Sequence, residues 1–173
     1  MALPIYTIGH STHSHQHFLW LLQQAGVNCL VDVRSIAASA YNPQYNKVAL
    51  RNFLITNGIH YLHFGAEFGA RRTEPHLLDE RGKLCMEKVT TGELFLAGVA
   101  RLQKGMALGY IIALMCAEAD PSHCHRFHMI SVYLAGQGID VRHIFKEGAI
   151  VPHSALVCSM AHKSDKGKQA HIF

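Results

Sequence analysis

The segment Cys116-Ala117-Glu118-Ala119-Asp120-Pro121-Ser122-His123-Cys124-His125-Arg126 concentrates thiols, carboxylates, imidazoles and a guanidinium in one short stretch. Cys116 directly follows the apolar run Tyr110 to Met115, and Asp120-Pro121 then reads as a helix start, with Asp as N-cap and Pro at the first helical position. Unpaired backbone N–H groups and the helix dipole favour an anion at such a place. The Cys116 thiol is therefore expected to have a lowered pKa and to be available as a nucleophile. Glu118, carried into a partly buried position, is expected to be raised toward neutrality and to work as general acid or base. Arg126 is placed to pair with Glu118 or to clamp an anionic group of a substrate. Each has a plain structural alternative, with Cys116 a small apolar residue at a strand end and Cys124 packing inside the first helical turn.

Other strand ends carry reactive groups as well. In open parallel sheets the ligand site lies beyond the carboxyl ends of the strands. The first strand delivers Gly9-His10-Ser11, the second delivers Asp32, Arg34 and Ser35, and the third delivers His63 and Gly65. Asp32 and Arg34 alternate onto one face, so a purely structural ion pair is the competing reading there. Their joint placement with Cys116 and Glu118 favours an enzyme. For metals, His13 and His17, like Cys124 and His128, are spaced i, i+4, which can hold an ion. Neither pair has further ligands at short spacing, so no metal site is predicted and no cofactor is evident. His76, His153, His162 and His171 read as surface residues.

The elements that must position these groups follow from apolar periodicity. Short β-like runs lie at Ile5 to Ile8, Cys29 to Val33, Ile59 to Phe64, Tyr110 to Met115 and Val141 to Phe145. Between them, Ser14 caps a helix carrying Phe18, Leu21 and Leu22 and closed by Gly26, and a second helix carries Val48, Leu50, Phe53 and Leu54. Thr90 followed by Glu93 reads as a capping box opening a helix with Leu94, Phe95, Val99 and Leu102. The helix begun at Asp120-Pro121 is expected to run through Phe127, Ile130 and Leu134. Strands alternating with helices predict a single three-layer α/β domain, residues 1–158, around a mostly parallel sheet of about five strands. Residues 66–88 show no period and are expected to act as a lid. Residues 159–173 read as a polar, loosely held tail.

Composition sets wider bounds. A chain of 173 residues with 49% hydrophobic and 16% charged residues is one globular domain rather than a disordered segment. A net charge of +4 suits anionic substrates but is far weaker than the charge runs of a dedicated nucleic-acid binder. Five cysteines show no disulfide framework and no secretory leader precedes them, so reduced thiols in the cytoplasm are expected. The longest nearly apolar run, Met106 to Ala117, is shorter than the ~20 residues that span a bilayer, so no membrane partner is expected.

The ordered motifs Thr7-Ile8-Gly9-His10-Ser11, Val31-Asp32-Val33-Arg34-Ser35, Asn42-Pro43-Gln44-Tyr45-Asn46, Cys116-Ala117-Glu118-Ala119-Asp120-Pro121 and Cys124-His125-Arg126 resemble the family called domain of unknown function 488 (DUF488). The resemblance runs from about residue 5 to 152. Members often carry a proline after the Asp-Val-Arg-Ser step, where this chain has Ile36-Ala37-Ala38. It implies the fold and the place of the site; the family's name implies no reaction. A fainter similarity is to rhodanese-like domains, in which a strand-end cysteine carries sulfur, although Glu118 and Asp120 would oppose a thiolate here.

Three functions are thus in view. The first is an enzyme in which Glu118 and Asp32 do acid/base or nucleophilic work while His10, Ser11, Arg34, Ser35 and Arg126 hold a small anionic or nucleotide-like substrate. The second is a cysteine-dependent sulfur or group transferase through Cys116. The third is a non-catalytic nucleic-acid-binding module built on Arg71 and Arg72. Oligomeric state is not legible.

Overall fold

A computed structural model describes the backbone of residues 3–169 and the side chains of residues 3–161. Among the described residues six strands form one sheet: β1 (Ile5–Gly9), β2 (Cys29–Asp32), β3 (His60–His63), β4 (Ile112–Cys116), β5 (Val141–Ile144) and β6 (Ile150–Pro152). Their order is β3-β2-β4-β1-β5-β6. Every neighbouring pair is parallel except β5 with β6. β4 is buried at every position because β1 and β2 flank it and helices cover both its faces.

Helices α1 (His15–Gln24) and α2 (Lys47–Thr56) pack on one face. Phe18, Leu21, Leu22, Leu50 and Leu54 meet Ile8, Leu30, Ala113 and Met115 there. Helices α3 (Gly65–Phe68), α4 (Met86–Thr90), α5 (Glu93–Ala107) and α6 (Val132–Gly136) serve the other face. Phe68, Val89, Phe95, Val99, Leu102 and Leu134 meet Val31, Leu114 and Cys116. Removing each large side chain of these clusters from water stabilises the fold by roughly 1.5–3 kcal/mol before entropy is counted. The last helix, α7, spans His153–Gln169.

This layering locates the crevice. β1 leads into α1 on one face, whereas β4, its hydrogen-bonded neighbour, leads toward α6 on the other. Chain leaving adjacent strands in opposite directions opens a gap beyond their carboxyl ends, where such sheets bind ligands.

Several expectations are corrected. The helix begun at Asp120-Pro121 is not continuous: the Asp120 side chain caps Ser122 N–H, but the short 3₁₀ turn Pro121–His123 ends at Cys124, which is extended (φ −127°, ψ 144°). A π-helical stretch, Arg126–Ser131, then leads into α6. The capping box fails because Thr90 is the last residue of α4 and Gly92 caps α5 without a side chain. The expected lid is structured: Phe68 is buried, Leu77 and Leu84 pack on the core, and Leu78 bridges Leu84. Only its start, Ala70 and Arg71, reaches the cavity described below. His153 is not at the surface but 5% exposed against His143. Backbone helix runs to Gln169 through much of the expected tail; the side chains of His162 and His171 lie outside the described residues. β6, only three residues long and ending in a proline, is too short to show a period and escaped the sequence reading.

Candidate functional site

The crevice holds a cavity of about 520 Å³ at the carboxyl ends of β1, β2 and β4. Its floor comes from a close approach of backbone. His10 N–H donates to the Cys116 carbonyl at 3.0 Å and Ser11 N–H to the Ala117 carbonyl at 2.9 Å, extending the β1–β4 pairing past the strands. A side chain on Gly9 would lie 1.8 Å from the Glu118 carbonyl oxygen, so only glycine fits beneath that loop. Ser11 itself turns with φ 46°, a left-handed conformation that serine rarely adopts.

Asp32 is fully buried and organises Arg34. Its carboxylate accepts from Arg34 Nε at 2.9 Å, Arg34 Nη2 at 2.6 Å and the Tyr61 hydroxyl at 2.8 Å. Arg34 also donates from Nη2 to the Tyr45 carbonyl at 2.8 Å and from Nη1 to His10 Nε2 at 3.2 Å. Among the described residues four of the five guanidinium N–H groups are thus used, and one is left for the cavity that Arg34 lines. His10 stacks on Tyr45 with centroids 4.3 Å apart and donates from Nδ1 to the Ser11 carbonyl at 2.8 Å. Burial lowers its pKa to about 4, and the Arg34 charge adds to this, so the ring is neutral and Nε2 is an acceptor.

At the β4 end, Cys116 and Glu118 line the cavity. The Cys116 thiol donates to Glu118 Oε2 at 3.0 Å. His125 donates from Nε2 to the Val33 carbonyl at 3.2 Å, which leaves Nδ1 bare, 3.8 Å from Cys116 Sγ and 3.7 Å from Cys124 Sγ. The expected pKa directions are reversed here. The hydrogen bond with Cys124, burial and the neighbouring Glu118 push the Cys116 thiol up. Cys124 is pulled down by its hydrogen bond with Cys116 and by His125 and Arg126, against burial. Glu118 is opposed by burial but ends below the usual carboxylate range because Cys116 and Cys124 hydrogen-bond to it.

Arg126 has a different place from the one expected. It is fully buried and donates to backbone, from Nη1 to the Glu118 carbonyl at 2.7 Å and from Nη2 to the Ala119 carbonyl at 3.3 Å. It therefore holds the loop that carries Glu118 and does not meet the Glu118 carboxylate or line the cavity. Ser35 lines the cavity and accepts from Arg71 N–H at 2.9 Å.

The structure thus brings His10, Ser11, Arg34, Ser35, Cys116 and Glu118 to one cavity, places Gly9 beneath it, and seals Asp32 and Arg126 behind it. A model of the family described as domain of unknown function DUF488 matches residues 14–133. The chain belongs to this family. The match to DUF488 covers the strand-end residues of β2, β3 and β4 and begins after Gly9-His10-Ser11. No curated protein and no solved structure matches the chain.

Four residues of this DUF488 chain escaped the sequence reading as parts of the site. Cys124 and His125 turn back onto Cys116 because the helix breaks at Cys124, and no local signal marks that break. Tyr45, in the Asn-Pro-Gln-Tyr-Asn motif, is fully buried under His10, and its hydroxyl donates to the His13 carbonyl at 3.1 Å. Tyr41 lines the rim of the cavity and is 97% exposed, presenting an aromatic face there.

Proposed function

We propose that this DUF488 chain is an enzyme whose active site is the strand-end cavity and whose substrate is a small anion of nucleotide size. One observation carries the reading: among the described residues, Glu118 is the single carboxylate lining a cavity that also presents two guanidinium groups, Arg34 and Arg71. A volume of about 520 Å³ falls within the ~300–1,000 Å³ typical of small-molecule sites. Arg71 has no ion pair among the described residues, so its charge is available to a phosphate or carboxylate. The Ser11, Ser35 and Ser39 hydroxyls supply neutral donors, and Tyr41 offers a flat face to a base.

In this reading Glu118 does the proton work of a hydrolysis or group transfer. Its carboxylate accepts the proton of the attacking water or hydroxyl as the new bond forms, then returns it to the leaving group. Asp32 does not touch the substrate. It fixes Arg34, as His10 does from the other side, while Arg126 fixes the Glu118 loop.

A panel of nucleoside mono- and diphosphates, followed by ligand-detected NMR and calorimetry, tests the proposal. Binding should occur at low salt and weaken by about tenfold in both Arg71→Ala and Tyr41→Ala. Absence of binding to every member, or binding indifferent to both substitutions, overturns it.

Cysteine-dependent group transfer through Cys116 is a second reading, favoured by the bare His125 Nδ1 at 3.8 Å from the sulfur. It requires a covalent adduct on Cys116, visible as a mass increment in the intact protein during turnover. The Glu118 reading forms no such adduct.

A further inference from the structure

The two thiols and the imidazole at the back of the cavity converge on one point. Cys116 Sγ, Cys124 Sγ and His125 Nδ1 all lie within 4.8 Å of one another. In tetrahedral coordination, with metal–sulfur bonds of about 2.3 Å and metal–nitrogen bonds of about 2.0 Å, sulfur and nitrogen stand roughly 3.5 Å apart. The observed 3.7 and 3.8 Å need only small side-chain adjustments to close around an ion. We infer that Cys116, Cys124 and His125 form a binding site for one divalent transition-metal ion of the zinc type, with its fourth position open to the cavity.

Three independent features support this. The imidazole is already in the right tautomer: donation from Nε2 to the Val33 carbonyl leaves the Nδ1 lone pair on the side of the sulfurs. Such a bond from the distal nitrogen to a carbonyl is the usual support of a metal-bound histidine. The backbone is also shaped for it, because the extended Cys124 between a 3₁₀ turn and a π-helical stretch sets two adjacent residues beside a cysteine on another element. Finally, Arg126 N–H points at Cys124 Sγ from 3.5 Å, a contact suited to a ligating thiolate.

Charge and burial agree with a metal. Cys116 and Cys124 are 4% and 3% exposed, and a divalent ion with two thiolates is neutral overall, as a site with so little water requires. Soft sulfur donors with one imidazole select zinc over magnesium or calcium. Cys116 and His125 line the cavity whereas Cys124 does not, so the vacant coordination position lies on the cavity side. Glu118 accepts the Cys116 thiol proton at 3.0 Å in the metal-free chain. Ligation removes that proton and ends this hydrogen bond, leaving Glu118 beside the ion. The sequence alone pairs Cys124 with His128, but His128 instead donates from Nε2 to the Ser122 carbonyl at 2.6 Å. Metal binding at this place does not depend on what the cavity turns over.

The full chain, reduced and stripped with a chelator, is titrated with cobalt(II) and with zinc. Cobalt should bind one equivalent with a thiolate charge-transfer band and the intense visible bands of a tetrahedral ion, and zinc should bleach both. Glu118→Gln and Cys158→Ser should keep these bands, while Cys124→Ser and His125→Gln should each weaken binding by about 10–100-fold or more. In the unmutated chain, zinc should also slow alkylation of Cys116 and Cys124 about tenfold but leave the exposed Cys158 unchanged, which requires no variant to fold. The inference is overturned if the reduced chain shows no tetrahedral bands, if the bands survive Cys124→Ser, if zinc leaves the labelling of both cysteines untouched, or if the two sulfurs are found joined as a disulfide that resists reduction.

Discussion

Nε2 of His10 accepts a hydrogen bond from Nη1 of Arg34 at 3.2 Å, and the same ring can do so only while it is neutral. This contact joins the β1 exit to the β2 exit. It also explains why a histidine is stacked between Tyr45 and the cavity rather than exposed to solvent. His10→Phe keeps the stack and removes the acceptor. The expected cost is about 1 kcal/mol in urea unfolding, with weaker anion binding at the cavity.

A second prediction concerns acid. His143 is buried, with its pKa lowered to about 3 by burial first and then by the His153 and Arg126 charges. Arg126 Nε contacts Thr7 Oγ1 at 3.4 Å, Thr7 meets His143 Nδ1 at 2.7 Å, and His143 Nε2 meets His153 Nδ1 at 3.0 Å. The direction of donation runs from the cation outward, so both rings are neutral acceptors on the Arg126 side. A histidine held neutral in the folded chain binds fewer protons than in the unfolded one. Its contribution is therefore complete above pH 6.5 and is lost as pH falls toward the folded value. His10 and His143 act in the same direction, between 6.5 and about 4 and between 6.5 and about 3 respectively. Stability measured by urea should fall on the order of 2 kcal/mol per site between pH 7 and pH 4, and His143→Gln should flatten part of that slope.

The buried ion pair gives a third. Asp32→Asn leaves Arg34 charged and without its carboxylate in a buried setting, so a loss of about 3–5 kcal/mol is expected. Tyr61→Phe removes one neutral donor from the same carboxylate and should cost only about 1 kcal/mol. Equal costs for the two would show that buried Arg34 does not need the Asp32 charge.

What the sequence made legible, and what it hid, divides along physical lines. Strands β1 to β5 and helices α1 and α2 were readable because burial on one or both faces leaves a periodic apolar trace. The strand-end position of Cys116 and Glu118 followed from that trace. The role of Arg126 did not, since a guanidinium that reaches back to two loop carbonyls is a tertiary event with no local signature. The break at Cys124 was hidden for the same reason: Asp120-Pro121 starts a helix correctly, and nothing nearby says that it stops after one turn. The pKa directions at Cys116 and Glu118 were misread because isolated-residue logic cannot see that Cys124 sits against both.

Backbone proximity at the cavity floor yields a fourth prediction. Gly9→Ala would set a methyl group 1.8 Å from the Glu118 carbonyl oxygen, and neither backbone can yield without breaking the His10 and Ser11 hydrogen bonds. A destabilisation of about 1–3 kcal/mol is expected, together with lost anion binding. Gly136→Ala, with open space around it, is the matched control and should leave binding unchanged.

The most direct test of the account is a comparison of turnover and affinity in Glu118→Gln, using whichever nucleotide the wild-type chain is found to convert. The account predicts a fall in kcat of about 100-fold or more with the dissociation constant nearly unchanged, because the amide keeps the shape of the side chain but cannot take the proton. Conversion at the wild-type rate by Glu118→Gln would contradict it.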